Sequence, residues 1–318
     1  MDKYKKANLR SPYLGIVGAM VLFALLLLLP SSQPYVLSFG VQYQPPPQQQ
    51  SATIIVASSN QNMTTAPSAS ANGTTTTISN ETATTTLTMA GLPNATLVEF
   101  VSNIEQISGH LHQAVINKES GNNTLAEAHT LHPIAEVYSS IEDLLANQNS
   151  TLNQTLSAAL QNLSSSVTNA TVQEFESQED SVNMLLNNSV RTLVLRSDLN
   201  DPAFNASVIA RLLHVAGHEY EEAVENGTVK AIVEYQDAQA FIYRAESIFK
   251  SSASRIGLNI AQEVEEVNQF FSNLNGAVNN TDDPETVETT INGIIDELAE
   301  ITGLSESQLI GEEAGAEE

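Results

Sequence analysis

The sequence contains no cysteine and few basic residues, and each shortage excludes a class of protein. Without cysteine there can be no disulfide, no thiolate zinc site, no cysteine nucleophile and no lipid-modified cysteine. Only 12 Lys and Arg residues stand against 37 Asp and Glu, which gives a formal net charge of −25. Such a charge repels nucleic acid and anionic lipid, so we predict no nucleic-acid partner. A negative charge of this size also attracts cations, although a high acidic content more often serves only to make a solvated surface.

Several sequence motifs of enzymes are also missing. Glycines are scattered, with no G-x-G-x-x-G or G-x-x-x-x-G-K loop for phosphates, and no HExxH string of a zinc peptidase occurs. Serine and threonine are so frequent that no Ser-His-Asp order can be argued from spacing. We therefore predict that the protein is not an enzyme.

The N-terminus carries the longest apolar run. From Tyr13 to Leu29 there are 17 uncharged, mainly apolar residues, about 26 Å of helix, which just spans a membrane. Basic residues precede this run, so we predict a cytoplasmic segment at 1–11, a transmembrane signal anchor at 12–30 and an extracytoplasmic remainder. The chain would then be a single-pass protein of the cell membrane. A cleaved signal peptide is the alternative, because Pro30 is followed by two serines.

Residues 31–92 are rich first in Pro and Gln and then in Ser, Thr and Asn. Such a composition cannot bury enough apolar surface to offset the entropy of ordering, which predicts a disordered stalk. Thirteen N-x-[ST] sequons occur along the part predicted to be exported, three of them within residues 31–92. Their density is typical of a glycosylated surface protein, and an Asn/Thr-rich composition without sugar is the alternative.

Apolar residues recur every three or four positions from about residue 94, which is the helical period. This pattern predicts an all-α bundle of about eight helices and no strand in a domain at 93–303, followed by an acidic tail at 304–318. Asp283 and Pro284 predict one helix start. Thr124 and Thr228 are candidate N-caps after two Asn-rich breaks.

Two hairpin sequences, 109–145 and 217–249, resemble each other. With one gap, Asn117 aligns with Asn226 and Glu142 with Glu246. A copied supersecondary unit would bury its apolar stripes against its twin. The alternative is that any two amphipathic helices align this well.

The second hairpin also resembles a known family. Its residues YEEAVENGTV (220–229) and EYQDAQAF (234–241) are similar to the extracytoplasmic helical domain associated with high-affinity iron permeases. The stretch AHTLHPIAEVY (128–138) resembles exported archaeal proteins. The permease's own Arg-Glu-Gly-x-Glu motif is missing, so the resemblance implies an accessory of metal handling and not the transporter.

All six histidines fall within these hairpins and the helix that leads into the second. His214 and His218 are spaced i,i+4, and Glu221 or Glu222 one turn on could complete a transition-metal site. His129 and His132 share a face with Glu136 one turn on, whereas His110 and His112 cannot share one. Solvated or hydrogen-bonded histidines are the commoner outcome of such spacing.

These observations lead to a function hypothesis and a rival. We predict a membrane-anchored binding or accessory module that captures iron or copper for a separate transporter or enzyme. The predicted ligands are His129, His132, His214, His218, Glu136, Glu221 and Glu222. The rival is a structural or protein-interaction component of the cell envelope without a metal role.

Overall fold

A computed structural model describes residues 94–253 and 261–311, which all lie in one compact unit of the chain. The predicted cytoplasmic, membrane-spanning and stalk segments, residues 1–92, lie outside these ranges. Among the helices of the described ranges, none is both long and apolar enough to cross a membrane.

The described part of the chain is an all-α bundle, as the apolar periodicity predicts. Eight of its helices have ten or more residues, in agreement with the expected number. The helices are α1 (Asn94–Glu119), α2 (Asn123–His132), α3 (Tyr138–Ser166), α4 (Val172–Leu193), α5 (Arg196–Leu199), α6 (Pro202–Ala223), α7 (Ile232–Ala253), α8 (Ala261–Asn279), α9 (Pro284–Thr302) and α10 (Glu306–Ile310). A single turn of π-helix, Pro133–Val137, called the π-turn below, joins α2 to α3.

Side-chain caps set several helix ends. The Asp283 carboxylate accepts a hydrogen bond from the backbone of Glu285, and Pro284 occupies the first turn of α9, as predicted. At α2 the cap is Asn122, whose side chain accepts from the Leu125 backbone, and not the predicted Thr124. Asparagine competes well for this position because its short side chain reaches the free N–H groups.

A two-residue turn links α6 to α7 where no strand was expected. Strands β1 (Val224–Glu225) and β2 (Thr228–Val229) pair antiparallel. Asn226 and Gly227 both have positive φ, 52° and 69°, which is the geometry of a tight Asn-Gly hairpin. Thr228 therefore lies in β2 and does not cap α7, which begins at Ile232.

Helix α6 lies at the centre of the bundle, packed against α1, α7, α9 and α10. Two tyrosine hydroxyls connect the α6–α7 pair to the last turn of α8 and to the loop that follows it. Tyr220 donates to the carbonyl of Asp282 at 2.7 Å, and Tyr235 donates to that of Val278 at 2.9 Å. These bonds fix the position of α7, which carries the central residue of the site described below.

The helical domain continues past residue 303, where the sequence predicts an acidic tail. Gly303 ends α9 with a φ of 71°, and a Ser305–Gln308 capping box starts α10. Leu309 is fully buried, and α10 packs against α6 and α9. Leu304 and Ile310 are partly buried against the same core, so apolar side chains on and just before this short helix dock it.

Candidate metal centre

Three histidine rings surround one buried carboxylate where α1, α2 and α7 meet. His110 belongs to α1, and His129 and His132 belong to α2. Asp237 of α7 places Oδ1 at 2.7 Å from His110 Nδ1 and 3.0 Å from His129 Nδ1. Its Oδ2 lies 3.2 Å from His132 Nδ1. These four residues are called the His–Asp cluster below.

The cluster is buried except at one edge. The side chains of His110, His129 and Asp237 are 3%, 0% and 1% exposed. His132 is 25% exposed, and Glu136, with Oε2 at 3.8 Å from His132 Nδ1, is 35% exposed. Glu136 lies in the π-turn, an irregularity that recurs at functional sites. An ion arriving from solvent would meet His132 and Glu136 first.

A second layer of amides fixes the protonation of His129. The Asn117 side chain donates to the backbone carbonyl of Gln113 at 2.9 Å and to Gln236 Oε1 at 2.9 Å. The same Oε1 lies 2.8 Å from His129 Nε2. Because an amide oxygen can only accept a hydrogen bond, the Nε2 atom of His129 carries a proton.

This proton on Nε2 decides what must lie between His129 and Asp237. In a neutral ring, His129 Nδ1 would present a lone pair to a carboxylate oxygen, and two acceptors in contact repel. A cation must therefore lie between them, either a second proton on the ring or a metal ion. Adjacent ligand atoms about 2.1 Å from an ion lie roughly 3 Å apart. The nitrogen–oxygen distances of 2.7–3.2 Å match this spacing.

The pKa values show how strongly the cluster favours positive charge. Burial alone would raise the pKa of Asp237, but the charge of His110 and hydrogen bonds from the three histidines hold it well below its ordinary value. Burial alone would lower the pKa of His132, but the hydrogen bond and charge of Asp237, helped by Glu136 and Glu234, raise it to about 9. The metal-free cluster therefore holds protons where a metal ion would replace them.

Glu219 of α6 adds a further carboxyl to these surroundings. Burial raises the pKa of Glu219, and the charges of Asp237, Glu136, Glu222 and Glu234 raise it further, to about 8. Glu219 therefore carries a proton at neutral pH in the metal-free protein. A cation at the cluster would counter the field of these carboxylates and favour the ionised form of Glu219.

The predicted ligands are divided between two places. His129, His132 and Glu136 meet at the cluster. His214 and His218, both on α6, face each other with their Nε2 atoms 3.3 Å apart. Among the described residues, the group whose ligand atoms lie within 4.8 Å of one another is His110, His129 and Asp237.

The two predicted glutamates of α6 also separate. Glu221 lines the same groove as His214 and His218, whereas Glu222 is one of the carboxylates that act on Glu219.

Two central residues of the cluster, His110 and Asp237, were not predicted from sequence spacing. His110 and His112 lie on different faces of α1, as their spacing predicts: the His112 ring stacks on Tyr243, with the ring centroids 5.0 Å apart. The available signal was a polar residue within an apolar stripe. Asp237 lies four residues before the buried Phe241, and His110 lies between buried Ile107 and Ala114.

The comparison with protein families bears on the second half of the domain. Residues 196–305 match the iron permease-associated 4-helix bundle domain. This match confirms the resemblance of the second hairpin and links the chain to iron uptake. No curated protein and no solved structure matches the chain.

The matched residues run from α5 to α9 and contribute Asp237, Gln236 and Glu219 to the site. All three histidines of the His–Asp cluster precede the match, on α1 and α2. The candidate metal centre therefore lies where the matched domain contacts the helices before it.

Proposed function

We propose that this protein binds a transition-metal ion at the His–Asp cluster and serves as an accessory module of iron uptake, without catalytic turnover. The observation that carries this proposal is His129, whose Nε2 proton is fixed by Gln236 while its Nδ1 faces the Asp237 carboxylate. Second-shell hydrogen bonds of this kind orient metal-binding imidazoles in proteins.

The donor set points to the class of ion. Three imidazole nitrogens with one or two carboxylates suit iron, copper and zinc, and an all-oxygen site for calcium or magnesium would contain no imidazole. The link of the matched domain to iron permeases favours iron, with copper as the alternative.

The mechanism we propose is capture and hand-over. The ion enters at the exposed edge of His132 and Glu136 and displaces the protons held by the cluster. Asp237 then supplies the fixed negative charge that holds the ion, and a separate transporter receives it. The predicted anchor at 12–30 would hold this domain outside the cytoplasm, next to that transporter.

The test is calorimetric titration of the metal-depleted full-length protein with Fe(II), Cu(II) and Zn(II). We expect a saturable site of micromolar or tighter affinity that is lost in Asp237→Asn, so that this variant binds one ion fewer than the wild type. Filling of this site should release protons, seen as heats that depend on the buffer. The matched control is His112→Ala, which removes a histidine outside the cluster and should bind like the wild type.

A second variant tests whether a loss of binding in Asp237→Asn comes from a lost ligand or from a folding defect. His132 is the most exposed of the three cluster histidines, so His132→Ala should keep its helical circular dichroism and still weaken binding. Equal affinities and proton release in wild type, Asp237→Asn and His132→Ala would overturn the proposal.

A further inference from the structure

A second pair of histidines lies on another face of α6. His214 and His218 are one helical turn apart, and both are exposed. Their rings meet edge to face, with centroids 4.7 Å apart and an interplanar angle of 88°. Their Nε2 atoms lie 3.3 Å apart, within hydrogen-bond distance, so the same nitrogen of both rings lies at one place on the surface of α6.

The pair opens into a groove between α6 and α9. Its apolar lining includes Leu213, Val224 and Ile291, and Glu221, Glu285 and Glu288 also line the groove. Carboxyl groups from two helices thus lie along the same groove as the two imidazoles, in contact with solvent.

The distance between the two nitrogens matches a chelating pair. Two ligands about 2.0–2.1 Å from a tetrahedral ion lie roughly 3.3 Å apart. Histidines at i,i+4 on a helix are the arrangement by which zinc proteins present two imidazoles to one ion. We propose that His214 and His218 form a second, solvent-open site for a divalent transition-metal ion, completed by a groove carboxylate and water.

This site does not depend on the buried cluster. Glu219, next to His218 in the chain, interacts with Asp237 and Glu136, whereas His214 and His218 line the groove with α9. The two sites therefore use different faces of α6. Two imidazoles prefer copper, nickel or zinc over hard cations, and the exposure of both rings allows rapid exchange of the ion.

The experiment is Cu(II) titration of the full-length protein, followed by electron paramagnetic resonance and by the number of ions bound. We expect His214→Ala/His218→Ala to bind one ion fewer than wild type and to lose a signal with hyperfine coupling to two nitrogens. Each single variant should weaken this site by at least about 10-fold, since even outer-shell changes cost that much. Both residues are exposed, so the variants should fold.

The controls separate this inference from the proposed function. His112→Ala should leave both sites intact, and Asp237→Asn should remove the buried ion while the two-nitrogen signal remains. An unchanged number of bound ions and an unchanged spectrum in the double variant would overturn the second site, whatever Asp237→Asn does.

Discussion

Gln236 offers the most specific test of the metal centre, because it is not a ligand in our proposal. Its Oε1 accepts from the Asn117 side chain and lies 2.8 Å from His129 Nε2. Gln236→Leu keeps a side chain of similar size but removes that acceptor. His129 would then lose the partner that keeps its proton on Nε2, and its Nδ1 would no longer be reserved for the ion.

The expected loss in metal affinity is 10- to 100-fold, which corresponds to about 1.4–2.8 kcal/mol. Gln236→Leu also deprives Asn117 of an acceptor, and a buried donor left unpaired costs about 1–3 kcal/mol of folding stability. Gln236→Glu is the control, because it keeps an acceptor for both partners and loses only the Nε2–H that Gln236 donates to Asn117 Oδ1 at 3.3 Å. A carboxylate there raises the basicity of the imidazole, so this variant should bind the ion at least as tightly as wild type.

The assay is the affinity for Zn(II) and Fe(II), measured beside the free energy of unfolding in EDTA. The two measurements separate a binding defect from a folding defect. If Gln236→Leu lowered stability in EDTA and left both affinities unchanged, the amide layer would only support the fold. The proton on His129 Nε2 would then have no part in metal binding, which refutes the proposed role of Gln236.

Three further predictions follow from other contacts. Metal removal by EDTA should lower the melting temperature by roughly 5–10 °C relative to protein with metal at 100 times Kd, a difference of about 2.7 kcal/mol that scanning calorimetry would detect. Burial raises the pKa of Glu179 from 4.5 to about 7. The folded state therefore favours the protonated carboxyl, and the stability that this preference gives is complete below pH 4.5 and is lost as the pH rises through 7. The loss is about 3 kcal/mol, and Glu179→Gln should abolish it in urea unfolding curves at pH 5 and 8. Gly109→Ala would place a methyl group 3.0 Å from the Phe241 ring. We therefore expect the free energy of unfolding to fall by about 1–3 kcal/mol and metal binding to weaken. Unchanged unfolding and titration curves would contradict this expectation.

The fold was largely predictable because its strongest determinant is periodic. The stripe of Leu97, Val101, Ile104 and Leu111 is buried in α1, as the helical period predicts. The short ribbon at Asn226-Gly227 and the docking of α10 by Leu309 were not predicted. Asn226-Gly227 is a local hairpin signal, but the two strands it joins are only two residues long and show no alternating apolar pattern. The position of α10 depends on tertiary contacts, which local patterns do not show. The duplication of the two hairpins stays a prediction.

The site was only half predictable, for a physical reason. Spacing along one helix can bring together His129 and His132, or His214 and His218, because i,i+3 and i,i+4 neighbours share a face. It cannot show that Asp237, 108 residues from His129, lies beside it. A buried carboxylate has to find compensating charge from other elements, and the three histidines of α1 and α2 supply that charge.

The His–Asp cluster is built from both sides of the boundary at which the family match begins. Of the four residues in the His–Asp cluster, the matched range 196–305 contains only Asp237. Without α1 and α2, the carboxylate of Asp237 would lose every imidazole that faces it. A single carboxylate does not make a transition-metal site by itself. The candidate metal centre is therefore a property of the contact between the two parts of the domain. A bound ion would stabilise that contact as well, because it binds ligands from both sides of the boundary.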